Sequence, residues 1–251
     1  MFMRLLQLNV QPNYVGNFKS IYELSVIPRL KEIPGCNFVA LIESSLKDNE
    51  FISLSFWETQ DQAENYENGV IFKDLFDRIQ SYLSDSSEWK VHLSENLELE
   101  YVPQKEEPII KKYNVTVQSD AGLADSSSAN MLYVRIVSTT IQKGKEKEFK
   151  NIYSSEIIPA LLLIKGCLYA YLTRNVENKN SFLSVTIWDS KQDADYYENT
   201  GKFEELVKKV MHTFSDFYRW KLALEKDSKT SVKTSEDMYV SNYVIVSRNK
   251  F

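Results

Sequence analysis

Glycine is scarce in this sequence, with seven residues in 251, and none falls in a run that could cradle a phosphate. Nucleotide folds need spaced glycines so that backbone N–H groups can approach phosphate oxygens, and neither such a loop nor a serine elbow is present. Cysteine is scarcer still, at two, which is too few for a disulfide framework. The two histidines, His92 and His212, have no clustered carboxylates around them and do not form a metal motif, so no metal is expected and each reads as a surface residue. Positive charge is in deficit, 30 Lys and Arg against 35 Asp and Glu, for a net charge of −5. That balance argues against a nucleic-acid surface, which shows itself as a basic patch. The longest apolar run, IIPALLLI at 157–164, falls far short of the roughly 18 residues a membrane span requires. The first residues, MFMRLLQLNVQPN, lack the long apolar core of a signal peptide. The expectation is a cytoplasmic protein that binds neither nucleic acid nor membrane.

What the chain does contain is written twice. FISLSFWETQDQAENYENGVIFKDL at 51–75 returns as FLSVTIWDSKQDADYYENTGKFEEL at 182–206. Trp188 follows Trp57 by 188 − 57 = 131 positions, and Tyr197, Glu198, Asn199, Phe203 and Leu206 keep that offset. Across residues 18–79 the offset gives 21 identities in 62 ungapped pairs, far beyond chance, so the chain is a tandem duplication. With 43% hydrophobic residues, each half is long enough to bury its own core.

Within a repeat the pattern is strand, helix, strand, strand, helix, strand. Residues 4–10 read as the first strand, and Phe18, Ile21, Tyr22, Val26 and Ile27 fall on helical spacing. Pro28 sits inside that helix, where it removes a hydrogen bond and should kink or shorten it. Gly35 ends it, and strands at 38–43 and 51–57 follow. A second helix begins after Trp57 and breaks at Asn68-Gly69, and a last strand is placed at 97–102. The order βαββαβ is ferredoxin-like. The expected domains are 1–104 and 131–251, with a linker over 105–130. Within the linker, 113–117 reads as an extra edge strand reaching across to the other half, and 242–247 at the chain end looks the same. Trp220 echoes Trp89.

A helix ending P-x-L-x-x-I-x-G-C, a strand closing on W-[ED]-[TS], and a helix with A-x-x-Y and F-x-x-L together resemble the antibiotic biosynthesis monooxygenase family. That family belongs to the dimeric α/β-barrel superfamily, and the resemblance covers most of both repeats. It implies an α+β fold in which the two units pack sheet to sheet, as an intrachain pseudo-dimeric α/β barrel. An antiparallel sheet with helices on one face leaves its other face in need of cover. In activity it implies a cofactor-independent monooxygenase acting on an aromatic or quinol-like small molecule. The alternatives are a non-catalytic binder of haem or another hydrophobic small molecule, and a structural or stress protein with a vestigial pocket. By position, the helix Trp of the family's haem-degrading branch falls at Tyr66 and Tyr197 here, and its His at Phe76 and Val207. Its first-strand Asn falls near Leu6 and Val137, with Asn9 close by. The Asn of the polyketide-oxidising branch falls at Ser53 and Ser184. Both catalytic sets are therefore broken.

The candidate ligand-binding residues are Tyr66, Tyr197, Tyr196, Trp57, Trp188, Ser53, Ser184 and Asn9. The tryptophans could stack on a flat ligand or cap the core, and a tyrosine could line a pocket or simply fill space. Arg4 and Arg135 recur at one strand position and either meet an acidic ligand or pair with a carboxylate. Cys36 and Cys167 read as small hydrophobes behind the glycine turn. The doubled Tyr196-Tyr197 makes the second half the more aromatic candidate for a working pocket. If the repeats complete each other, the whole chain should sediment as a monomer or as a further homodimer. The halves expressed separately should be insoluble or should pair with each other; soluble monomeric halves would exclude that arrangement.

Overall fold

The computed structural model describes residues 1–93, 99–105, 109–118, 132–219 and 238–250. They form two compact units, one of Arg4–Lys111 with Val246–Phe251 and one of Met1–Met3 with Lys112–Ile245. The first repeat runs β1 (Phe2–Asn9), α1 (Val15–Ile21), a wide helical turn at Tyr22–Val26, α2 (Ile27–Lys31), β2 (Cys36–Ser44), β3 (Glu50–Trp57), α3 (Gln60–Glu67) and α4 (Val70–Ile79). Then come β4 (Asp85–Leu93), β5 (Leu99–Lys105) and β6 (Ile109–Gln118). The second repeat gives β7 (Tyr133–Thr140), α5 (Glu146–Ile152), a wide turn at Tyr153–Ile157, α6 (Ile158–Leu162), β8 (Cys167–Asn175), β9 (Ser181–Trp188), α7 (Lys191–Asn199), α8 (Lys202–Val210) and β10 (Tyr239–Lys250).

The second repeat orders its strands β10–β7–β9–β8–β6, each pair antiparallel. With β10 counted as its fourth strand, this is the ferredoxin-like arrangement, and β6 is added at the edge. In the first repeat β1 lies beside β3, and β3 pairs antiparallel with β2. The duplication extends to irregularities: Cys36 opposes Trp57 and Cys167 opposes Trp188, each next to a register shift in the same place. The fold is α+β, in tandem ferredoxin-like units, as the repeat predicts.

One strand assignment needs correction. Of the strand expected at 97–102, residues 99–102 belong to β5 and residues 97 and 98 lie outside the described residues; β5 pairs with β4 in a separate two-stranded sheet and does not complete the main one. Alternation of apolar and polar residues identifies a strand without saying which neighbour it pairs with. The segment at 113–117 does form a strand, and β6 lies along β8, with Tyr113 opposite Asn175. The side chains of Trp89 and His92, and all of Trp220, lie outside the described residues.

The wide turns have a local cause. Pro28 and Pro159 carry no N–H, and a proline ring clashes with the carbonyl four residues earlier. Just before each proline the helix therefore widens by one residue. Ile27 N–H reaches back to the Tyr22 carbonyl, and Ile158 N–H to that of Tyr153, five residues each. Both Val26 and Ile27 can then turn inward, and both are buried, as are Ile157 and Ile158. The sequence pattern predicted a kink here, and the helix absorbs the proline as a bulge.

Where the helix returns to the sheet, Gly35 and Gly166 adopt φ of 85° and 81°. Their carbonyls accept from Glu58 N–H and Asp189 N–H, both at 2.8 Å, just ahead of the caps of α3 and α7. Thr59 and Gln62 form a reciprocal capping box there, and Ser190 caps Asp193 N–H at 3.2 Å. The cap packs so closely that a Cβ on Gly35 would lie 2.2 Å from Gln62 Cδ, and one on Gly166 would lie 2.5 Å from Asp193 Cβ. Alanine at either position forces a left-handed backbone at a cost of about 1–2 kcal/mol. Gln62 is long and can swing aside, whereas Asp193 Cβ is fixed to its helix. Gly166→Ala should therefore lose more stability than Gly35→Ala, as read from urea midpoints of the two variants.

Candidate functional site

Each repeat encloses a cavity between the wide turn, the strands and the second helix pair. In the second repeat it measures about 50 Å³ and is lined by Arg135, Tyr153, Ser184, Tyr197, Phe203, Val207 and further apolar residues including Met238. Arg135 lies on β7 and is 2% exposed. Its Nε donates to Glu198 on α7, and its guanidinium carbon stands 4.1 Å from the centre of the Phe203 ring and 5.4 Å from that of Tyr197. Its Nη2 is buried without a hydrogen-bond partner. A buried charged donor left unsatisfied costs about 1–3 kcal/mol or more, so the protein satisfies the Arg135 guanidinium only in part.

The remaining polar groups also come from opposite walls. Tyr153, at the start of the wide turn, donates its hydroxyl to Ser184 Oγ on β9. Burial pushes the Tyr153 hydroxyl up to about 12, although the Ser184 bond opposes the shift. Tyr197 is raised as well, by burial, against the favourable charge of Arg135. All the pocket phenols are therefore protonated near neutral pH. No carboxylate or imidazole is among the described residues lining either cavity. Among the described residues there is also no group of His, Cys, Asp and Glu that could hold a metal ion.

The first repeat repeats this construction at about 20 Å³. Arg4, 2% exposed, donates from Nε to Glu67 Oε2 at 3.2 Å and leaves Nη2 buried and unpartnered. Its guanidinium carbon is 4.9 Å from the centre of the Phe72 ring. Tyr22 and Ser53 hydroxyls are 2.6 Å apart. Phe76 takes the position that Val207 holds in the second repeat.

The sequence candidates divide clearly. Ser53, Ser184, Tyr66 and Tyr197 line the cavities, and so do Leu6, Val137, Phe76 and Val207, the other positions singled out by the family resemblance. Trp57 and Trp188 are fully buried behind the tyrosines, with ring centres 5.2 Å from Tyr66 and Tyr197 in near-parallel stacks. Their indole N–H groups bond Ser55 and Thr186 at 2.9 and 2.8 Å, so they brace the site without lining it. Tyr196 is 56% exposed on the outer face of α7, and Asn9 does not line the cavity. Cys36 and Cys167 are buried, and burial pushes each thiol up to about 12. His212 is exposed and bonds Glu148 at 2.8 Å. Arg4 and Arg135 do pair with carboxylates, and they also line the cavities, which the sequence pattern does not single out. Their recurrence at one strand position opposite an equally recurrent Glu was the available signal.

The antibiotic biosynthesis monooxygenase family model matches residues 1–78 and again 131–209. A provisionally named monooxygenase from Fusobacterium nucleatum subsp. nucleatum superposes with a TM-score of 0.68 at 9% identity, covering 99% of this chain and 94% of the other. A similarly named protein from Lactobacillus acidophilus gives 0.65 at 8% identity, over 99% and 95% of the two chains. An anthrone oxidase-like protein gives 0.58 at 11% identity, over 99% and 92%. At such identities these likenesses speak for the fold alone. No curated protein matches the sequence. No helix among the described residues is long and apolar enough to cross a membrane.

The buried phenols carry a pH signature. Tyr66 and Tyr153 are pushed up to about 12, and Tyr22 and Tyr197 are raised too, in each case chiefly by burial. A phenol that ionises near 10 in the unfolded chain binds its proton more tightly when folded. These groups thus leave stability unchanged below about pH 10 and subtract from it between about 10 and 12. Tyrosinate absorbance should rise in step with loss of the circular-dichroism signal over that window. Tyr153→Phe should shift the alkaline midpoint upward.

Proposed function

The chain belongs to the antibiotic biosynthesis monooxygenase family, and on that premise we propose that its second repeat oxygenates an aromatic, quinol-like small molecule without a cofactor. The observation that carries this reading is Arg135 in the cavity wall, with a buried guanidinium that Glu198 answers at Nε and that has no partner at Nη2. A guanidinium stabilises a phenolate or enolate over the neutral acid, so it lowers the pKa of a bound phenol. The cavity's size fits the oxygen-bearing end of such a molecule, with Phe203, Val207 and Leu206 as the apolar surroundings.

The division of labour follows from the lining. With no carboxylate or imidazole among the described residues of the wall, the substrate is one acidic enough to lose its proton to solvent on entry. Arg135 and the Tyr153–Ser184 pair then hold the anion. The electron-rich carbon of that anion reduces O₂. For a CH₂ flanked by aromatic rings, the carbon gives up four electrons, one oxygen atom stays as the ketone and the other leaves as water. The protein's part is orientation, charge stabilisation and exclusion of bulk water. The lack of a base among the described wall residues also favours a second reading, in which the cavity binds such a molecule without turning it over.

Menadiol and anthrone, each supplied with and without O₂, separate the two. Turnover that requires O₂ and exceeds the uncatalysed rate supports the first reading, and saturable binding without turnover supports the second. Arg135→Met removes a charge-assisted hydrogen bond of about 1.5–3 kcal/mol, so kcat/KM should fall roughly tenfold to hundredfold. An unchanged kcat/KM in a folded Arg135→Met variant would remove this residue from the site.

A further inference from the structure

The two cavities are lined by matching positions, yet one has less than half the volume of the other, about 20 Å³ against about 50 Å³. The anion-facing groups are the same in both: an arginine with a buried, unpartnered Nη2 and a Tyr–Ser hydroxyl pair. Two hydroxyls sharing one hydrogen bond leave one O–H still free to donate. The Arg4 guanidinium and the Tyr22–Ser53 pair thus each offer the first cavity a donor that asks for an acceptor. The first wall is bulkier at Leu6, Leu8, Phe76 and Ile79, where the second has Val137, Thr139, Val207 and Val210, and of these only Phe76 adds a ring. Phe76 on α4 stacks on Phe72 at 6.2 Å between ring centres, where the second repeat has Val207 beside Phe203. A benzyl group stands where an isopropyl group leaves room.

We infer that the first repeat holds a second binding site, built on Arg4, Tyr22 and Ser53, that takes a small monovalent anion and is closed to aromatic molecules by Phe76. At about 20 Å³ the space admits one small guest of the size of a halide or a formate oxygen. The guanidinium supplies charge, and the hydroxyl pair supplies a second donor. This goes beyond the reading of the second repeat, because it concerns binding at a different cavity and needs no turnover to test.

Two measurements decide it. Crystals of the intact chain soaked in sodium bromide should show an anomalous peak in the first cavity, within hydrogen-bond distance of the Arg4 guanidinium or the Tyr22–Ser53 hydroxyls; an ordered water there, without bromide, overturns the anion site. Titration with 1-hydroxy-2-naphthoate, followed by fluorescence, should give one more equivalent bound to Phe76→Val than to the unaltered chain. Adding Arg4→Met to Phe76→Val should weaken that extra site at least tenfold. If Arg4→Met does not fold, Arg4→Lys, which keeps the charge and loses the planar fork, should weaken it as well. A Phe76→Val chain that melts like the parent and gains no equivalent overturns the closure by Phe76. An extra equivalent that is indifferent to both Arg4 substitutions overturns the role of Arg4.

Discussion

A guanidinium buried under a helix is the constraint around which each repeat is arranged. A lone charge in an apolar layer would cost several kcal/mol, so the surroundings must answer it. Glu67 and Glu198 do so from the second helix pair, at Nε. Phe72 and Phe203 answer it again with their ring faces, worth about 0.5–2 kcal/mol each. These partners fix how the second helices lie over the sheet, because Glu, Tyr and Phe must all reach one strand residue. The Trp–Tyr stacks behind them then hold the tyrosine rings upright. What the arrangement leaves over, an incompletely satisfied guanidinium on a residue that lines a cavity, is the feature with chemical potential.

Much of this was legible in the sequence, and the limits have physical causes. The offset of 131 positions exposed the duplication, and with it the order of elements. Pro28 announced a disturbed helix, and Gly35 announced its end. The positions picked out by family resemblance, Ser53, Tyr66, Phe76 and their partners, all came together on cavity walls. Trp57 and Trp188 were ambiguous because a large aromatic ring at a strand end satisfies packing and ligand stacking equally well in one dimension. Tyr196 attracted notice beside Tyr197, yet adjacent helix residues stand about 100° apart, and only one of them can face inward. The arginines needed three dimensions. A sequence shows that two charges recur, but not that one nitrogen of each is left without a partner. The β4–β5 hairpin escaped for a similar reason, since a strand's pairing partner is a tertiary choice.

The two repeats also illustrate how a duplicated site can diverge without losing its chemistry. Arg, Tyr, Ser and Glu persist at matching positions, while the change from Phe76 to Val207 alters the room available. Polar groups in such a site are interdependent, because removing one leaves another buried and unsatisfied. An apolar wall residue carries no such obligation and can change size more freely. Divergence in bulk ahead of divergence in charge is what that asymmetry favours.

The widened turn before each proline has a consequence for how the helix is phased. An inserted residue advances everything after it by about 100° around the axis, so Phe18 and Tyr22 belong to one angular setting and Ile27 and Leu30 to another. Both settings point inward, and the seam between them lies at the cavity. A shortened version of this helix, lacking the extra residue, would present a different set of side chains to the same sheet. The irregularity therefore acts as a rotational index: the identity of half the helical wall of each cavity is set by a single residue of helix length.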